Sequence, residues 1–248
     1  MWDDARQLNA TAAALATIAC ILVAWGAIAW GARQPSFAFR EVVIRGPLEH
    51  VNVADLDTVV RDELAGTFFT MDLDRARLSL ARVPWVRTVA LRRQWPQQLE
   101  VTVEEHVPFG RWNDTGLVNT FGEVFAAEYV GELPQFGGPD GRAAEVATRY
   151  REWSDALAPI ELGVQNVRLS PRGAWQIAAK GASGSLAIEL GREDPTGRLA
   201  RFVSVYERTL GTLAQAGTRI EHVDLRYRNG FAAHVPGFRE RAPKKRGA

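Results

Sequence analysis

Apolar residues fill the start of the chain without interruption, and no charged residue occurs from Leu8 to Ala32. At about 1.5 Å per helical residue, such a run is long enough to cross the roughly 30 Å hydrocarbon core of a bilayer. Trp25 and Trp30 lie toward one end of the run, as tryptophans do at membrane interfaces. The pattern predicts one transmembrane helix over residues 9–32. A cleaved signal peptide and a buried core helix are the alternatives, and the length of the run and its acidic start favour the span.

The pattern changes after this run, because apolar positions now alternate or recur at helical spacing. The predicted elements are strands over 39–46, 86–93 and 98–104, and helices that follow the N-cap residues Asn52 and Asp72. The order β-α-α-β-β predicts an independent compact domain over residues 37–105.

A second unit follows over residues 106–238, in which short alternating segments outnumber helices. The predicted strands cover 117–119, 123–125, 164–169, 174–178, 185–190, 220–227 and 231–235, and the predicted helices cover 143–158 and 198–213. This unit is therefore expected to be a β-rich domain with two helices.

The last two strands of this unit form a predicted hairpin. Its first strand should place Val223, Leu225 and Tyr227 on one face. The Asn229-Gly230 dipeptide that follows is the one preferred in a type I′ turn. The final strand, over 231–235, would then lie at the edge of a sheet.

An edge strand of this kind has unpaired backbone groups, which proteins either protect or use. Addition of a partner's strand is the functional interpretation. The alternative is an edge that His234 and Pro236 keep from pairing.

Composition and charge exclude several classes of protein. The formal net charge of +1 argues against a polybasic nucleic-acid binder. The single cysteine, Cys20, lies in the apolar run, so the chain has no intramolecular disulfide framework and no cysteine-based metal cluster. The tail over 239–248 is basic, with five Lys and Arg residues against one Glu, and is expected to be disordered.

The sequence offers no convincing candidate for catalytic chemistry. The histidines at 50, 106, 222 and 234 lack metal-binding spacing. Consecutive strand residues point to opposite faces, so Glu104-Glu105-His106 is interpreted as a solvated junction between domains. We predict no catalytic, cofactor or metal site.

The tryptophans after the span are expected to lie mainly in the core, since each buries a large apolar area. They are Trp85, Trp95, Trp112, Trp153 and Trp175. Arg92-Arg93 beside Trp95 could contact nucleic acid by charge and stacking. A turn that packs this tryptophan on Pro96 beside solvated arginines is the favoured interpretation.

Motifs in order along the chain identify it as similar to a known family. The first unit resembles a POTRA domain, and the whole chain resembles the FtsQ/DivIB family of bacterial cell-division proteins. The matching segments are 42–46 (VVIRG), 71–74 (MDLD), 83–86 (VPWV), 91–96 (LRRQWP), 99–105 (LEVTVEE), 117–119 (LVN), 122–125 (GEVF), 198–203 (RLARFV) and 224–227 (DLRY). Each segment alone is weak, and the ordered set after one span is specific.

The resemblance implies an α+β protein with a defined order of parts. These are a cytoplasmic segment 1–8, a transmembrane helix 9–32, a POTRA domain 37–105, a β domain 106–238 that ends in a hairpin edge, and the basic tail 239–248. It also implies a single-pass type II inner-membrane protein with its bulk in the periplasm. The count of basic residues weakly indicates the opposite orientation, because Arg6 precedes the run while Arg33, Arg40 and Arg45 follow it.

The function implied is a non-enzymatic scaffold of the division machinery at the septum, which binds FtsB and, through it, FtsL. The contact is implied for the final strand region and the Asp-Leu-Arg-Tyr motif. The candidate residues are Arg226, Tyr227, Asn229, Gly230, Phe231 and Ala233. Tyr227 would be an aromatic anchor and Arg226 a charge partner for an acidic residue. Recruitment through the POTRA domain would involve its second strand, over 86–92.

Two other classes of protein are weighed against this one. A POTRA-type secretion or outer-membrane assembly protein would continue into a β-barrel, for which too little chain follows Glu105. An anchored periplasmic hydrolase would need a convergent nucleophile, base or metal set. No nucleic acid, cofactor or small-molecule substrate is expected.

Overall fold

The computed structural model describes residues 5–63, 66–182, 184–228 and 230–237. The protein is an α+β structure with two compact units, of which one ends at His106 and the other begins at Val107. The predicted N-terminal segment 1–8 falls partly, and the tail 239–248 wholly, outside the described residues. Helix α1 spans Ala5–Ala32, and its part from Leu8 is long and apolar enough to cross a membrane.

The remainder of the first unit has the predicted order β-α-α-β-β. The elements are β1 (Glu41–Arg45), α2 (Val53–Glu63), α3 (Leu73–Leu80), β2 (Val86–Gln94) and β3 (Gln98–Glu105). Asn52 accepts a hydrogen bond from the backbone N–H of Ala54, and Asp72 caps α3 through the N–H groups of Asp74 and Arg75. The sheet order is β1-β3-β2, so β2 is an edge strand and β3, with Leu99, Val101 and Val103 buried, is central.

The last residue of β3 is not the solvated junction that the sequence predicts. The side chain of Glu105 is only 7% exposed, and its carboxylate accepts hydrogen bonds from the backbone N–H groups of Glu49, His50 and Val51 at 2.9–3.3 Å. The His50 ring stacks on Trp85 at 4.2 Å and places its Nδ1 3.4 Å from the same carboxylate. Burial alone would raise the pKa of Glu105, but these hydrogen bonds lower it below its ordinary value.

The second unit is built on one nine-stranded sheet. Its strands are β4 (Pro108–Trp112), β5 (Gly116–Asn119), β6 (Val124–Phe125), β7 (Gln135–Gly137), β8 (Gly163–Leu169), β9 (Trp175–Gly181), β10 (Gly184–Gly191), β11 (His222–Asp224) and β12 (Ala232–His234). The order across the sheet is β12-β11-β10-β9-β8-β7-β4-β5-β6. The last strand therefore lies at one edge, as predicted.

Two helical segments pack on this sheet and enclose its core. They are α4 (Ala143–Leu157) and a longer segment that joins α5 (Pro195–Tyr206), a π-helical turn (Glu207–Gly211) and α6 (Thr212–Gln215). The core includes Trp153, Phe136 and Phe202, each at most 1% exposed. The regular helix predicted over 198–213 thus begins earlier and contains a π turn.

Two strands, β4 and β7, are absent from the prediction. Strand β4 contains Pro108 and Gly110, which are unfavourable in strands, and β7 has only three residues. Both are paired in parallel across the sheet, β4 with β7 and β7 with β8. The parallel pairings depend on segments distant in sequence, and local pattern does not report them. Strand β4 also pairs antiparallel with the neighbouring β5.

The prediction that the tryptophans lie in the core is right for four of them and wrong for one. Trp85, Trp112, Trp153 and Trp175 are 8% exposed or less. Trp95 is 71% exposed, at the turn between β2 and β3. The arginines beside it are also not uniformly solvated, because Arg93 donates to the carbonyl oxygen of Met71 at 2.6 Å.

Candidate partner-binding edge

Strand β12 pairs with β11 on one side, and in the part of the chain that the structure describes no strand pairs with its other side. The register places Ala233 opposite Val223. The backbone N–H of Leu225 donates to the backbone carbonyl oxygen of Glu189 at 2.8 Å. The backbone N–H of Ala187 donates to the backbone carbonyl oxygen of Glu221 at 2.9 Å. In this ladder the backbone groups of Val223 face β10, so those of Asp224 and His222 face β12.

This alternation fixes the direction of the backbone groups in the edge strand. Val223 and Ala233 form a non-hydrogen-bonded pair, so the N–H and C=O of Ala233 point away from β11. The backbone groups of Ala232 and His234 point toward β11 instead. Since no described strand pairs with these two groups, they could donate to and accept from a partner strand at Ala233.

The helix-covered face of this edge has a gap. Phe231 and Val235 pack partly against the core, whereas the small side chain of Ala233 between them leaves space. A cavity of about 410 Å³ borders this gap, and its lining includes Leu210 and Leu213 of the helical segment. An apolar side chain from a partner strand could fill it.

The connection between the two strands differs from the predicted two-residue turn. β11 ends at Asp224 and β12 begins at Ala232, so the chain between them forms a longer loop over 225–231. Asn229 lies outside the described residues. The strand ends early because the Asp224 carboxylate accepts the backbone N–H of Arg226 at 2.9 Å, which turns the chain away from the ladder. Tyr227 therefore belongs to the loop and not to the predicted strand.

The side chain of Arg226 is engaged within the protein. Its Nε and Nη2 donate to the two carboxylate oxygens of Asp224 at 2.9 and 2.7 Å, and Nη2 lies 3.1 Å from Glu189. The hydrogen bond from Arg226 is the main reason that the pKa of Asp224 lies below its ordinary value. The same bond, with the charge of Glu189, raises the pKa of Arg226. The pair is therefore ionised near neutral pH.

A groove of about 660 Å³ lies between α5 and this loop. Tyr227 lines it and is 58% exposed. Gly230 and Phe231 also line it, and the Phe231 ring stands edge-on to the buried ring of Phe202 at 5.6 Å. The structure thus brings Tyr227, Gly230 and Phe231 together, with Ala233 just beyond them on the edge strand.

The helical wall of this groove was not predicted from the sequence. That wall includes Arg198 and Arg201, which lie one turn apart on α5, and Val205. Arg198 donates to the Leu190 oxygen at 2.7 Å. The side chain of Arg201 is 60% exposed, so its charge is accessible from solvent, although its Nη1 lies 3.5 Å from Asp194. The i, i+3 spacing of the two arginines beside the apolar stripe was the available signal.

Family models match most of the chain between the span and residue 226. Residues 37–106 match the model described as POTRA domain, FtsQ-type. Residues 110–226 match the model described as Cell division protein FtsQ/DivIB, C-terminal.

Curated relatives match over four fifths or more of their length. A Cell division protein FtsQ of Burkholderia pseudomallei is 41% identical over 96% of this chain and 96% of the relative. Those of Nitrosospira multiformis and Escherichia coli are 38% and 31% identical, over 94% and 88% of this chain and 98% and 80% of the relatives.

Proposed function

This chain belongs to the FtsQ/DivIB family of cell division proteins, and from that premise we propose that it is a non-enzymatic scaffold of the divisome that binds FtsB, and FtsL through it, by β-strand addition. The single observation that carries this proposal is the open side of β12, where the N–H and C=O of Ala233 point outward.

Strand addition at this edge would combine two kinds of contact. Main-chain hydrogen bonds to Ala233 would supply affinity, and they depend little on the partner's sequence. Side chains on alternate positions of the added strand would supply selectivity. The side chains on one face of the added strand would enter the cavity beside Ala233. Partner residues that lie next to the start of β12 would reach Tyr227 and Phe231 in the groove.

The distribution of charge suggests how an acidic partner residue would be received. The guanidinium of Arg226 already meets two carboxylates, so a partner acid would compete with Asp224 and Glu189 for it. Arg201 has one longer ion pair, at 3.5 Å, with Asp194. We therefore assign Arg226 mainly to holding the loop, and Arg201 to attracting an acidic group on the partner.

The membrane helix and the first unit have separate proposed parts. The span α1 would hold the protein in the inner membrane, with both folded units in the periplasm at the septum. Strand β2 is an open edge of the three-stranded sheet and is proposed to support recruitment of the protein.

A titration tests the proposed contact directly. The full chain in nanodiscs is titrated with the periplasmic segment of FtsB, with and without FtsL, and the added strand is located by amide hydrogen exchange. Saturable binding with new protection in residues 230–235 is expected. Saturable binding with protection only elsewhere, or no binding, contradicts strand addition.

A depletion experiment tests the cellular role. Loss of the protein should give long undivided filaments. Normal division with a leaking envelope would instead favour the assembly or secretion class of POTRA protein.

A further inference from the structure

Five aromatic rings form a continuous cluster at one end of the POTRA domain. Consecutive centroid distances are 5.2 Å for Phe37–Phe69, 5.3 Å for Phe69–Phe68, 5.8 Å for Phe68–Trp95 and 5.9 Å for Phe68–Phe39. We call these five residues the aromatic cluster. They come from three separate segments, so tertiary structure assembles it.

The aromatic cluster lies directly beside the end of the membrane span. Thr67, which precedes two of its members, donates its hydroxyl to the carbonyl oxygen of Ala32, the last residue of α1, at 2.5 Å. The N–H of Phe68 donates to the oxygen of Phe37 at 2.7 Å. The amide of Gln97, in the turn that carries Trp95, donates to the oxygen of Ser36. Each segment of the cluster is thus tied to the chain that leaves the membrane.

Two members of the cluster are exposed although each could bury a large apolar area. Trp95 is 71% exposed and Phe69 is 52% exposed. Aromatic rings exposed next to one another are unfavourable in water. Tryptophan, however, is the side chain that most favours the boundary between hydrocarbon and headgroups, because it combines an apolar ring with an N–H donor. Arg33 and Arg40, both exposed, add positive charge on the same short connection.

We propose that the aromatic cluster rests in the headgroup layer of the bilayer on the side where α1 ends, and so docks the POTRA domain on the lipid surface. The inference rests on the proposed anchoring of α1 in the membrane. Lipid is the occupant because the hydrogen bonds from Thr67 and Gln97 hold the cluster at the mouth of the span. The bilayer is then the nearest surface, whatever other proteins are present.

Spin labels in the full chain can test this docking. Single cysteines replace Trp95, Phe69 or Glu49 in a Cys20→Ser background, and each labelled protein is reconstituted at one copy per nanodisc. Glu49 is the matched control, because it is exposed beside Glu105 at the far end of β3, about 24 Å from the turn at an antiparallel rise of about 3.4 Å per residue. A label on native Cys20 reports separately whether α1 is inserted.

The expected result is a ratio of oxygen to nickel-chelate accessibility that is several-fold higher at residues 95 and 69 than at residue 49. Equal, water-like values at all three positions, with the Cys20 label immersed, would overturn the docking and leave the anchoring intact. A water-exposed Cys20 label would overturn both. Low accessibility to both reagents at residue 95 would mean burial against protein and would also reject a lipid surface.

A second measurement keeps Trp95 in place. A label at Gln94→Cys, on an exposed neighbour, should show the same immersion. Combining Trp95→Gln with Phe69→Gln should return this label to water-like accessibility. Leu78→Gln, which removes a side chain that is 59% exposed on α3, should leave it unchanged. If the double variant and Leu78→Gln changed the accessibility of this label equally, a specific role for the cluster would be contradicted.

Discussion

The carboxylate of Asp224 holds the guanidinium of Arg226 in a two-point contact, Oδ1 to Nε at 2.9 Å and Oδ2 to Nη2 at 2.7 Å. Oδ1 also accepts the backbone N–H of Arg226. One side chain therefore both ends β11 and fixes the start of the loop that carries Tyr227. The position of the candidate partner-binding groove depends on this contact.

Asp224→Asn should loosen the loop without unfolding the sheet. The amide cannot accept both guanidinium hydrogen bonds. We expect a loss of about 1.5 kcal/mol in the free energy of unfolding, the low end of the range for hydrogen bonds to charged groups, because the Arg226 side chain is 58% exposed. Affinity for the FtsB segment should fall as well. Urea denaturation and titration measure the two effects. Glu193→Gln, an exposed acid without these contacts, is the control, and an equal effect of both variants would contradict the proposed role.

Tyr227→Ala should weaken binding of FtsB while the domain stays folded. The side chain is mostly exposed, so its loss removes little packing, but an aromatic anchor in an interface is commonly worth about 2 kcal/mol or more. Isothermal titration measures the affinity, and circular dichroism checks the fold. Phe121→Ala is the matched control, because it removes an aromatic side chain that is 60% exposed near the opposite edge of the sheet. Unchanged affinity in folded Tyr227→Ala would refute the anchor role.

Ala233→Pro should block strand addition with little effect on the hairpin. Proline removes the outward N–H, which has no partner in β11, and adds a ring at the edge. Ala232→Pro is the matched variant one residue earlier, and it should destabilise the hairpin because that N–H faces Asp224. Hydrogen exchange of β11 separates the two outcomes. Normal FtsB binding by Ala233→Pro would show that the partner does not use this edge.

Stability of the first unit should depend on pH through Glu105. Its pKa is lowered on folding from the ordinary value of 4.5, so the folded state binds fewer protons than the unfolded state in the acid range. The stabilisation is present above pH 4.5 and is lost as the pH falls through the lower, folded-state pKa. Glu105→Gln should cost about 1–3 kcal/mol near pH 7, and its difference from the wild type should shrink in acid.

Thermal unfolding between pH 7 and pH 3 measures this prediction. Glu49→Gln is the control, since Glu49 contributes only its backbone N–H to the contact. A Glu105→Gln difference that stays constant with pH would show that the carboxylate charge does not stabilise the fold.

Local signals predicted the elements that depend on local chemistry. The caps at Asn52 and Asp72 and the alternation in β3 were readable because each involves neighbouring residues. The place of the final strand at an edge also followed from chain order.

What the sequence did not predict depends on contacts between distant segments. The backbone cradle of Glu105 lies more than fifty residues earlier in the chain. Trp95 was misassigned to the core because its ring meets Phe68, which lies on a different loop, and stays 71% exposed. The groove wall at Arg201 required α5 to be placed against the loop 225–231, which periodicity alone does not determine.

The parallel pairing of β11 with β10 has a consequence for the order of folding. Ile188 pairs with Val223 only after the whole helical segment between them has crossed the sheet. Closing such a connection costs more chain entropy than forming the β9–β10 hairpin, so we expect β11 and β12 to join last. The unpaired edge of β12 would then form only when the chain is nearly folded, which limits the time in which newly synthesised chains could aggregate through this edge.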